Sequence, residues 1–175
     1  MSLDRSLFLI GYRGTGKTTV ARELAERLGC EWTDSDYVVQ LRASKQIAEI
    51  FAEHGEPYFR DLEQAVVAEL AAGPVQVVAL GGGAVLREAS RRAIDGCHVV
   101  WLTASPAVLA ERLTADEASD SQRPSLTGAG LTEEIEQVLA DRTPIYRQCA
   151  TLEVDTEGRA PRAIAEAILQ KLTAN

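Results

Sequence analysis

Five strand-like runs punctuate the chain and set its layout. They lie at Leu7–Ile10, around Glu31–Asp34, and at Val75–Leu80, His98–Leu102 and Thr151–Val154. Each has the length of a short buried strand. Between the runs, apolar positions fall into helical spacing. Val20, Leu24 and Leu28 recur with Ala21 and Ala25 beside them. Phe59, Leu62 and Val66 form a second stripe, on a helix that FRDLE (Phe59–Glu63) begins. A third helix is expected to start near Thr132 and to bury Ile135, Val138, Leu139, Ile145, Tyr146 and Cys149, with Pro144 kinking it. Pro161 opens the last helix, whose stripe is Ile164, Ile168 and Leu172. This alternation predicts an α/β fold, a parallel sheet with helices on both faces. Residues 115–130, ADEASDSQRPSLTGAG, carry almost no large apolar side chain, which predicts a mobile surface segment.

Composition narrows the chemistry. The 175 residues suit one domain with a sizeable core. A net charge of −8 leaves no broad basic field for nucleic acid, so an anionic partner has to be a small molecule met by a few convergent cations. Cys30, Cys97 and Cys149 are odd in number and widely spaced. They argue against a disulfide framework or a zinc site and fit a reducing cytoplasm. The apolar run in MSLDRSLFLIG is too short for a signal peptide, and no run is long enough to span a membrane. A cytoplasmic monomer is the expectation, because no long apolar surface stripe is left over.

The strongest chemical signal follows the first strand. Gly11-Tyr12-Arg13-Gly14-Thr15-Gly16-Lys17-Thr18 fits the pattern G-x-x-x-x-G-K-[ST], between a strand and a helix. Its glycines let the backbone curl so that successive N–H groups face a phosphate, and the helix start adds its positive end. Lys17 supplies a charge for the β and γ phosphates, and the Thr18 hydroxyl is placed to ligate Mg²⁺. The loop therefore reads as a nucleoside triphosphate site.

The acceptor side is spread over several segments. Asp34 and Asp36, two apart at the end of the second run, are expected to share a strand face at the carboxyl edge of the sheet, or else to cap a helix. No acid follows the third run, so Asp34 is the candidate for the metal. That run leads into Gly81-Gly82-Gly83, whose N–H groups meet a substrate oxygen or simply form a tight turn. Arg60 and Glu63 are three apart on a helix, as an oriented guanidinium or a solvated ion pair. Arg142 falls on an apolar stripe, where its charge needs an internal carboxylate or a bound anion. Arg123 in the polar segment is either a lid cation closing over ATP or a solvated loop arginine. The loop Asp155–Pro161 is a candidate border for the adenine. His54 and His98 are expected to be structural.

Taken together, GYRGTGKTT, the DSD pair, FRDLE, the GGG run, Arg123-Pro124 and the R-x-x-x-Y-x-x-x-A stretch from Arg142 to Ala150 resemble the shikimate kinase family, from Leu7 almost to the C-terminus. The resemblance implies a phosphate-loop kinase fold, a three-layer sandwich on a five-stranded parallel sheet of order 2-3-1-4-5. It implies one domain over residues 1–175, with a lid at about 115–130. The implied activity is transfer of the γ-phosphoryl group of MgATP to the 3-hydroxyl of shikimate, on the route to chorismate and the aromatic amino acids. Shikimate would be met by Asp36, Arg60, Gly81, Gly82, Gly83 and Arg142. The ATP phosphates would be held by Gly14, Thr15, Gly16, Lys17, Thr18 and Thr19, with magnesium on Thr18 and, through water, on Asp34. Arg112 would flank the nucleotide and Arg159 would lie beside the adenine. Lys17, Asp36 and Arg123 would carry the chemistry, Asp36 by orienting the attacking hydroxyl or taking its proton. Ala79-Leu80 stand where the family usually carries a small hydroxyl residue or Ala-Thr. Two other readings are a gluconate-kinase-like enzyme of the same fold and a non-catalytic nucleotide-binding module. The presence of Asp36, Arg60 and Arg142 speaks against the second.

Overall fold

The computed structural model describes residues 3–115 and 130–173. The expected lid, with Arg123, lies outside the described residues. The strands are β1 (Leu7–Ile10), β2 (Trp32–Asp34), β3 (Val77–Ala79), β4 (His98–Thr103) and β5 (Leu152–Asp155). They form one parallel sheet of order β2-β3-β1-β4-β5. Each lies within or close to an expected strand-like run.

Neighbouring residues along a strand point to opposite faces, and both faces are covered. On one side Leu7, Leu9, Val100 and Leu102 pack against Val20 and Leu24 of α1 (Lys17–Leu28) and Ile164 and Ile168 of α7 (Pro161–Thr173). On the other, Phe8, Ile10, Val78 and Trp101 meet Val67 of α3 (Ile47–Ala72) and Tyr146 of α6 (Leu131–Cys149). Three short helices complete the described chain: α2 (Ser35–Ala43), α4 (Glu88–Ala93) and α5 (Pro106–Ala115). The result is the expected three-layer arrangement.

One local expectation changes. Helix α6 includes Pro144. A break falls in α3 at Gly55, whose φ of 79° and ψ of 173° are not helical. Pro57 follows two residues later; it has no N–H to give, and it disfavours helical backbone in the residue before it. FRDLE thus sits just inside the second segment of a helix that starts at Ile47.

Strand β1 is the switch point of the sheet. The chain leaves it for β2 and β3 on one side, and β4 and β5 lie on the other. Ligands of open α/β sheets bind beyond the carboxyl ends of strands at such a point. The glycine loop leaves β1 there, and the glycine triplet follows β3 beside it.

Candidate active site

The glycine loop curls because Gly14 and Gly16 take φ values of 80° and 87°, which side chains other than glycine rarely adopt. Tyr12 pins it from below, buried against Leu109 and Leu113 of α5 and Ile135 and Val138 of α6. Thr15 Oγ1 donates to the Tyr12 carbonyl at 2.8 Å. Lys17 Nζ folds over the loop and donates to the carbonyls of Gly11 and Tyr12 at 2.9 and 2.8 Å. Its ammonium is therefore held where phosphate oxygens would meet the loop. Arg112 of α5 ties this loop to the far side of the sheet, donating to the carbonyl of Gly14 and to both oxygens of Thr156 at 2.9–3.2 Å.

Thr18 Oγ1 donates to Asp34 Oδ2 at 2.8 Å, joining the start of α1 to the end of β2. The other oxygen, Asp34 Oδ1, accepts from the backbone N–H groups of Asp36 and Tyr37 and caps α2. This corrects the shared strand face. Capping turns the chain helical directly after Asp34, so Asp36 occupies the first turn of α2. Both carboxylates still line one cavity of about 1000 Å³, which extends from Arg13, Lys17 and Thr19 past Asp36 to Gly81, Gly82 and Arg112.

The triplet is where the acceptor residues gather. The Gly81 N–H donates to the buried Ser35 Oγ at 2.9 Å. A side chain at Gly81 would collide with Asp36 Oδ1, and one at Gly83 would take the place of the Arg60 guanidinium. Arg60 donates to Glu63 Oε2 at 2.6 Å and to Glu56 Oε1 at 2.9 Å. Arg142 Nη1 donates to the Gly82 carbonyl at 3.2 Å, and Tyr146 Oη donates to the same oxygen. Among the described residues Arg142 has no carboxylate partner within ion-pair distance. Its partner there is the Gly82 backbone carbonyl, which carries no charge.

Arg159 is exposed, in the loop expected to border the adenine, and donates to the carbonyls of Asp155 and Ala163. His54 stacks on Tyr58, and His98 pairs with Asp4 at 2.8 Å, far from the loop in the fold. Three contributors escape a reading of the sequence: Ser35, which orients the triplet, and the ion pair of Arg13 with Glu134. Ser35 is readable only as the centre of DSD, and Glu134 only as an acid one residue before the apolar Ile135.

The family model for shikimate kinase matches residues 13–173. The chain belongs to the shikimate kinase family. Among shikimate kinases, that of Rhodopirellula baltica is 44% identical over 165 residues, covering 94% of this chain and 88% of its own. The solved shikimate kinase of Acinetobacter baumannii, in complex with shikimate, superposes with a TM-score of 0.91 at 34% identity, covering 98% of this chain and 94% of that one. A gluconokinase from Sinorhizobium meliloti, at 16% identity and a TM-score of 0.58, shares the fold alone. The sheet order and the ATP-dependent kinase class expected from the sequence are those of the shikimate kinase family. No described helix is long and apolar enough to cross a membrane.

Proposed function

We propose that this protein transfers the γ-phosphoryl group of MgATP to the 3-hydroxyl of shikimate, giving shikimate 3-phosphate and ADP. The observation that carries the reading is the convergence of Asp36, Arg60 and Arg142 on Gly81–Gly83, next to the strand that bears the phosphate loop. Arg60 and Arg142 flank the triplet with cations suited to a carboxylate, which a guanidinium can grip through two oxygens. Asp36 receives the attacking hydroxyl, orients it and takes its proton. Lys17 leaves the loop carbonyls for the β and γ phosphates. The Thr18 hydroxyl and Asp34 carboxylate, 2.8 Å apart, offer hard oxygen donors that fit Mg²⁺. When bound, that ion neutralises phosphate charge. Most of the catalysis is positioning and charge stabilisation.

The three free cysteines support a reducing compartment, the cytoplasm. The test is ADP release from MgATP with shikimate, gluconate and other hydroxy acids as acceptors. Release that depends on shikimate is expected. Release with gluconate and none with shikimate would overturn the reading.

A further inference from the structure

The phosphate loop carries one arginine, Arg13, at a position where the glycine motif accepts any residue. Arg13 lines the main cavity together with Lys17, Asp36 and Gly82. It also backs onto the acceptor triplet. A Cβ on Gly82 would lie 3.5 Å from Arg13 N and 3.8 Å from Arg142 Nη1. Its side chain is 24% exposed, and its ion-pair partner, Glu134 at the start of α6, is 3% exposed and 3.6 Å away.

A guanidinium has five N–H donors. The 3.6 Å contact is longer than a charge-assisted hydrogen bond of about 2.7–2.9 Å. Among the described residues the Arg13 side chain donates no other hydrogen bond. A largely buried cation thus keeps donors to spare on a cavity wall between the phosphate loop and the acceptor site. The substrate carboxylate already has Arg60 and Arg142. The anion left for Arg13 is the group in transit between Lys17 and Asp36.

We propose that Arg13 contacts the phosphoryl group as it passes from ATP to the acceptor, with Glu134 positioning the guanidinium. This rests on the functional reading above. In the step, the bond from the γ phosphorus to the β–γ bridging oxygen breaks and its electron pair leaves with ADP. A bond forms from the shikimate 3-oxygen to that phosphorus. The hydroxyl proton passes to the Asp36 carboxylate and then to solvent. Charge spreads over three peripheral oxygens, and a planar fork reaches two of them where lysine offers a point charge. The same contact survives in shikimate 3-phosphate and does not exist with shikimate.

The test compares Arg13→Met, Arg13→Lys and Glu134→Gln in the full chain. It measures turnover together with calorimetric affinities for ADP, shikimate and shikimate 3-phosphate. For Arg13→Met, kcat should fall about 10–100-fold and affinity for shikimate 3-phosphate about tenfold, as expected for a lost charged hydrogen bond. Affinities for ADP and shikimate should stay within about twofold, marking an interaction absent from the ground state. Arg13→Lys should recover part of kcat, and Glu134→Gln should lose part of it. Full kcat in Arg13→Met, or equal losses for shikimate and its phosphate, would overturn the proposal. If Arg13→Met does not fold, Arg13→Lys decides: a selective loss of product affinity supports the contact, and equal retention of both ligands overturns it. A wild-type protein that does not phosphorylate shikimate would defeat the functional reading and this proposal with it. An active wild type with an indifferent Arg13→Met defeats this proposal alone.

Discussion

Arg60 Nη1 lies 2.6 Å from Glu63 Oε2, and the two side chains are 11% and 2% exposed. The pair is internal, which settles the choice between an oriented guanidinium and a solvated one. Burial works against the Arg60 charge, but Glu63 and then Glu56 outweigh it, so the net shift of its pKa is upward from the ordinary arginine value. The guanidinium behind the triplet is a fixed cation.

Replacing Glu63 by Gln keeps the shape and removes the anchor. Breaking a buried pair costs about 3–5 kcal/mol, and Glu56 offsets part of that here. We expect a lower melting temperature and a KM for shikimate raised about tenfold, equivalent to about 1.4 kcal/mol of binding, with KM for ATP nearly unchanged. Thermal melts and steady-state kinetics on one preparation check both. A lower melting temperature with native KM would make Glu63 a packing residue only.

Gly83→Ala should act through the same arginine. The added methyl group needs the space that the guanidinium fills. The far end of Arg60 can swing away, so the fold should survive while shikimate binding weakens. Native KM for shikimate in this variant would remove Arg60 from the acceptor site.

Lys17→Met removes the ammonium that now rests on Gly11 and Tyr12. Losing one preorganised donor to transition-state charge typically costs about 10²–10³ in rate. Circular dichroism should show an intact fold with turnover lost. Native turnover would sink the phosphate-loop assignment.

Asp36→Asn tests the proton acceptor. General-base loss is worth about 10²–10⁴ in kcat, and ATP affinity should barely change because Asp34 and Thr18 are untouched. Near-native kcat would leave Asp36 as no more than a first-turn residue of α2.

Arg142→Lys keeps the charge and loses the fork. KM for shikimate should rise strongly and KM for ATP little. The methyl ester of shikimate, lacking the anion, should lose at least about tenfold in kcat/KM with the wild type. Equal use of acid and ester would assign Arg60 and Arg142 to the fold.

Legibility followed the range of each interaction along the chain. The strands were readable because a parallel sheet covered on both faces leaves short apolar runs, such as Leu7–Ile10 and His98–Leu102. Their order came from resemblance to a family, since apolar runs do not say which strand neighbours which. The phosphate loop was readable because its geometry is local. Arg142 stood out as a charge on an apolar stripe, yet its contact with the Gly82 carbonyl was hidden by the distance between them along the chain. Asp36 was placed on the wrong element because the same Asp-Ser-Asp both ends a strand and caps a helix, and Asp34 does the capping. Arg13 and Glu134 meet only after α6 has packed on the loop, and no spacing rule links them.

Strand β1 also governs how the two halves of the reaction respond to thermal opening. It is paired on both edges and covered on both faces, so slow exchange of its amides with solvent is expected. Strand β2 has three residues, a single neighbour and a partly exposed Trp32. Its amides, and those of α2 behind it, are expected to exchange faster than those of β1. The ATP loop is therefore rooted in a strand paired on both edges, whereas Asp34 and Asp36 sit at the margin of the sheet.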